Sequence, residues 1–62
     1  MTPEDLRRWQ AEMDYTYDTA AKALGVGRRT YAAWIAGTAR IPAPVDLACA
    51  ALIERLEPYS TR

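Results

Sequence analysis

The chain has 62 residues, eight acidic and eight basic side chains, and no net formal charge. A chain this short removes only about 60% of its unfolded surface from water, which allows one domain over residues 1–62 and little room for an enclosed catalytic pocket. With no His and a lone Cys49 inside the apolar stretch LACAALI, zinc ligation, a disulfide framework and Cys–His nucleophilic chemistry lack their residues, and Cys49 reads as core filler.

The first helix is expected to start at Thr2 as cap, with Pro3 at the first helical position and Glu4 and Asp5 facing the positive end of the helix dipole. Leu6, Trp9 and Met13 then recur at helical spacing and form a core-facing stripe. Thr16 can cap a second helix, with Ala20, Ala21 and Leu24 inward and Asp18 and Lys22 as an outer i,i+4 pair. Gly25 ends it in a left-handed turn, and Val26 follows as a buried plug. A third helix starts at Gly27 or Arg28 and runs through RRTYAAWIA to a second stop at Gly37, with Tyr31 and Trp34 on one face.

Residues 38–44, TARIPAP, read as a loop broken by Pro42 and Pro44. A fourth helix is expected over about residues 44–56, with Val45, Ala48, Cys49, Leu52 and Leu56 as its inner stripe and Glu57-Pro58 as its end. Strand alternation, internal repeats and low-complexity segments are lacking in the sequence. The fold class is therefore all-α, a compact bundle of four to five short helices.

The longest apolar run, residues 47–53, is far too short to span a bilayer, and the start MTPEDLRRW lacks the basic-then-apolar order of a signal peptide. A soluble, cytoplasmic protein with no membrane partner is expected. Charge is unevenly placed along the chain. Residues 1–18 carry five acids against Arg7 and Arg8, residues 46–62 carry three acids against Arg55 and Arg62, and residues 19–45 carry Lys22, Arg28, Arg29 and Arg40 with no acid. The central block is thus net +4, and local fields rather than the total decide what a surface attracts.

Inside that block, two short helical patterns flank a glycine turn and are followed by adjacent arginines, the layout of a helix-turn-helix. The spacing resembles that of the Cro and lambda-repressor-type (XRE) helix-turn-helix family over nearly the whole chain. Ala21 matches the small residue midway along the motif's first helix and Gly25 the glycine four residues later. Ala20, Leu24, Val26, Tyr31 and Trp34 match its apolar positions, and Gly37, Arg40, Pro42 and the fourth helix match the downstream pattern. The resemblance implies that the third helix enters the DNA major groove with its N-terminal residues at base edges.

Arg28, Arg29, Ala32 and Ala33 are then the candidate base readers, because an arginine fork fits guanine O6 and N7 and alanine can pack on a thymine methyl. Tyr17, Lys22, Thr30 and Arg40 are the candidate phosphate contacts. The chain departs from the family at several places: Tyr17 stands where glutamine is common, Gly27 where Ser or Thr caps the third helix, Tyr31 where Val or Ile is usual, and Ala20 where leucine is usual. A larger Tyr31 filling the space left by Ala20 would reconcile the last two. Ile35 is apolar where relatives often carry charge, and belongs to the core or to an interface.

One such domain touches few base pairs, so relatives read two half-sites as dimers. A homodimer is expected, with Ile41, Ile53, Leu56 and Tyr59 as its candidate surface. The leading function is a sequence-specific double-stranded DNA-binding regulator, a small phage or bacterial repressor of a palindromic operator, with no cofactor, metal or small-molecule ligand. The alternative is a protein-interaction module of the same shape, such as a phage inhibitor or antitoxin-like partner. It is supported by the zero net charge and by the poor hydrogen-bonding capacity of Ala32, Ala33 and Ala36. An enzyme is not expected, since the chain lacks His and any carboxylate pair with a reason to sit in a pocket.

Overall fold

A computed structural model describes residues 1–55, and these contain four α-helices and no strand. In α1 (Pro3–Glu12) the Thr2 hydroxyl accepts from the Asp5 amide while the Asp5 carboxylate accepts from the Thr2 amide, both at 3.1 Å. This reciprocal cap satisfies two of the donors that every helix start leaves open. The Thr2 amide bond also holds the Asp5 carboxyl below its ordinary value of 3.8. In α2 (Tyr17–Leu24) Thr16 and Thr19 form an equivalent reciprocal pair. Thr16 is thus the cap its position predicts, and Thr19, standing where Glu or Gln is usual, is its return partner.

Helices α1, α2 and α3 (Arg28–Ala36) end in the same closure, in which a left-handed residue turns the chain and the next amide reaches back five residues. The turning residues are Asp14 (φ 57), Gly25 (φ 73) and Gly37 (φ 78). The bonds they permit are Tyr15 N to Gln10 O, Val26 N to Ala21 O and Thr38 N to Ala33 O, each 3.0 Å. Glycine takes this conformation freely, whereas Asp14 does so at a steric cost that its short polar side chain only softens. The last helix, α4 (Ala43–Ile53), starts one residue earlier than expected. Pro42, extended at φ −64 and ψ 148, sits at its cap, and Pro44 falls within its first turn, where a missing N–H costs nothing.

The core gathers Leu6 and Trp9 from α1, Ala20 and Ala21 from α2, Tyr31, Trp34 and Ile35 from α3, and Val45 and Cys49 from α4. Ile35 is thereby assigned to the core. Helix α3 packs on both α1 and α2, and α4 packs on α2. Tyr31 is the centre of this arrangement: it is wholly buried, and its ring meets Tyr17 and Trp34 edge-on at 5.6 and 6.5 Å. Its hydroxyl donates to Gln10 Oε1 at 2.7 Å, so the polar tip is satisfied inside the fold. Trp9 stacks edge-on with Tyr15 at 5.5 Å. Its Nε1 is buried without an acceptor among the described residues, a local cost of about 1–3 kcal/mol set against burial of the indole.

Three expectations are corrected. Val26 and Leu24 are half-buried and cover the edge of the core instead of being enclosed, because the reversal at Gly25 keeps the turn at the surface. Asp18 does not pair with Lys22; its carboxylate lies 2.9 Å from Arg28 across the turn. The inner stripe of α4 is carried by buried Val45 and Cys49 with Ala48 and Leu52 half-buried, and Leu56 lies outside the described residues. Burial pushes the Cys49 thiol up to about 11, which keeps it protonated at neutral pH and suits its place in the core. No helix among the described residues is long and apolar enough to cross a membrane.

Candidate nucleic-acid interface

Ala20, Ala21, Tyr31 and Trp34 lie in the core, and Leu24 and Val26 pack against it. Ala20 and Ala21 are buried where α2 meets α3, and at Ala21, which is 2% exposed, a longer side chain would have no space. The backbone closure from Val26 to Ala21 fixes the turn, and Gly27 then caps α3 without a side-chain acceptor. The amides of Arg28, Arg29 and Thr30 therefore stay open at the positive end of the helix dipole. The first turn of α3 holds no acid; it holds two arginines instead.

Arg28, Arg29 and Thr30 are all exposed, as are Lys22 and Arg40 on either side of them in the chain. Among the described residues Lys22, Arg29 and Arg40 pair with no acid, whereas Arg7 and Arg8 of α1 have Glu4 and Asp5 at 3.8 and 3.9 Å on their own helix. Arg28 differs from its neighbour: its Nε lies 2.9 Å from Asp18 Oδ1, with the side chains 68% and 75% exposed. Lys22, Arg29 and Arg40 thus fall around α2, α3 and the loop that follows them, while Arg55, also without an acidic partner among the described residues, lies apart from them after α4.

The other candidate residues divide. Tyr17 is half-exposed, one side of its ring packed on Tyr31. Ala32 and Ala33 are half-buried, which limits what they can offer to a base. The Ala33 carbonyl is also occupied, accepting from the Thr38 amide, the Ala39 amide and the Thr38 hydroxyl. Of the candidate dimer residues, Ile41 is half-buried and packs against the core. Ile53 is 48% exposed. Leu56 and Tyr59 lie outside the described residues.

Three contributors were missed in the sequence. Gln10 receives the Tyr31 hydroxyl, a partner that any buried tyrosine requires and that only the approach of α1 identifies. Arg7 donates through Nη2 to the Ile35 carbonyl at 2.8 Å, at the C-terminal end of α3 where carbonyls lack helical partners and a cation is favoured. Leu47, 75% exposed, lies with Ala50, Ala51 and Glu54 along an open groove on α4. Its signal was available: of the eleven residues of α4 only Asp46 is charged, so one small core could not cover every face.

No family model matches the chain, and no curated protein or solved structure is significantly similar to it.

Proposed function

We propose that the chain is a helix-turn-helix, sequence-specific double-stranded DNA-binding regulator that acts in the cytoplasm. One observation carries the reading: α3 presents an uncapped N-terminus to solvent with Arg28 and Arg29 in its first turn and no acid there. Cations at that end oppose the dipole and lower helix stability, so they need a reason outside folding. Open amides and arginine forks together fit the phosphates and base edges of a major groove. Thr30, Lys22 and Arg40, all exposed nearby, supply further phosphate contacts. Two copies give the base-pair count that one domain lacks, and α4, with exposed Leu47 and Ile53, is the face through which they meet.

Selection of bound sequences from a random duplex pool, followed by binding across a salt series, tests this. The expected result is an enriched two-part site and affinity that falls with salt at a log–log slope of roughly −5, for about six phosphate contacts in a dimer. Arg28→Ala with Arg29→Ala is expected to abolish binding while leaving the melting temperature unchanged or slightly higher, since both cations oppose the dipole of α3. Absence of duplex affinity even at low salt would refute the proposal. It would favour instead a protein-interaction module, the reading supported by the partial burial of Ala32 and Ala33 and by the apolar surface of α4.

A further inference from the structure

We infer that Asp18 is a positioning residue for base readout, holding the Arg28 guanidinium at Nε so that its Nη1–Nη2 edge is free to meet guanine; this rests on the DNA-binding reading above. The two residues come from different helices, Asp18 being the second residue of α2 and Arg28 the first of α3. The sharp reversal at Gly25 brings the carboxylate to 2.9 Å from Nε. Arginine is a planar fork with five donors, and a contact at Nε leaves the terminal edge uncommitted. That edge has the spacing of guanine O6 and N7.

The pair has little to do for folding. Both side chains are mostly in water, 75% and 68% exposed, where an ion pair is screened and adds little stability. The start of α2 is already capped by Thr16 and Thr19. What the contact does restrict is the conformational freedom of a long side chain, and ordering it before binding removes part of the entropy that binding would otherwise cost. Asp18 also places a negative charge beside a surface meant for phosphates, which weakens contact with any duplex. Discrimination is gained at the expense of general affinity.

The test uses the full chain and a duplex selected with the wild-type protein. The base pair read by Arg28 is identified as the one whose preference is lost in Arg28→Ala. Affinities for that duplex, for its guanine-to-adenine variant and for a random duplex are then compared among wild type, Asp18→Asn, Asp18→Glu and the Asp18→Asn/Arg28→Ala double variant. Asp18→Asn is expected to lower discrimination at that base pair about tenfold, within what one bidentate contact provides. It should bind the random duplex as tightly as wild type or more so, with a melting temperature no more than a few degrees lower, because Asp18 also sits in the favourable first turn of α2. Asp18→Glu should retain part of the discrimination, and Asp18→Asn should change nothing once Arg28 is removed. Wild-type discrimination in Asp18→Asn overturns the inference while leaving the DNA-binding reading intact. A wild-type protein that binds no duplex overturns both.

Discussion

Tyr31 offers the most direct test of how the fold is held, because its hydroxyl and its ring can be removed separately. Tyr31→Phe keeps the packed ring and deletes only the donor to Gln10 Oε1. Since Gln10 is half-buried and can turn to water, the cost is about 1 kcal/mol, a usual value for one hydrogen bond. Tyr31→Val empties most of a site that is wholly buried between Tyr17 and Trp34. Large-to-small changes of a buried aromatic cost about 3–5 kcal/mol, and valine's retained carbons put this one near 3.

A fold of this length has about 3–9 kcal/mol in total, so Tyr31→Val removes between a third and all of it. At about 4–8 °C per kcal/mol, Tyr31→Phe should melt about 4–8 °C below wild type and Tyr31→Val at least 12 °C below. Circular dichroism melts measure this, with urea titrations followed by the fluorescence of Trp9 and Trp34 as a second probe. A Tyr31→Val melting point within about 3 °C of wild type would refute the account of the core. The space-sharing idea makes a sharper demand. Ala20→Leu alone should destabilise by about 1–3 kcal/mol through overpacking, yet in the Tyr31→Val background it should restore stability. Strict additivity of the two changes would show that Tyr31 does not occupy the volume Ala20 leaves.

The other predictions concern single sites. Asp14→Gly should raise stability by up to about 1 kcal/mol, because relief of about 1–2 kcal/mol of Cβ strain at φ 57 exceeds the roughly 0.5–1 kcal/mol that glycine's extra unfolded-state freedom costs, and a lower melting point would contradict the reading of that closure. Burial raises the Tyr31 phenol from 10.0 to about 12 and the Cys49 thiol from 9.0 to about 11. Both protons are held more tightly folded than unfolded, so this stability is complete below about pH 9 and is lost as the pH rises through 11 and 12. The urea midpoint should fall across that window, and a midpoint that stays level from pH 9 to 11 would contradict it. Leu47→Glu, at a 75% exposed site on α4, should abolish any concentration-dependent self-association in sedimentation velocity without lowering the monomer's melting point. An unchanged association constant would show that copies do not meet through Leu47.

The helices were largely legible from the sequence because their signals are local. Thr2-Pro3, Thr16, Gly25 and Gly37 each act on the backbone within a few residues, and apolar spacing at Leu6, Trp9, Tyr31 and Trp34 marks the inner faces. Asp14 and Arg55 are the exceptions among the helix ends: an aspartate or an arginine in a glycine's conformation carries no such mark. The surface was less legible. Asp18 had an equally good partner at Lys22 by helical spacing, and only the angle between α2 and α3 decides for Arg28. Ala32 and Ala33 look free on a helical projection but sit partly under their neighbours, and exposed Leu47 resembles core until α4 is seen to pack through Val45 and Cys49.

Arg7 and Gln10 reach α3 from behind, one at its last turn and one at its middle, across 28 and 21 residues of chain. The helix that faces outward is therefore anchored entirely from its inner side, and nine residues without a capping side chain would not hold a helical form alone. Grafting residues 17–37 into another protein would carry over the letters without the frame that spells them. Within this domain, by contrast, Arg29, Thr30 and Ala36 are exposed and bear no part of that anchoring, so those positions can be substituted while the scaffold stays intact.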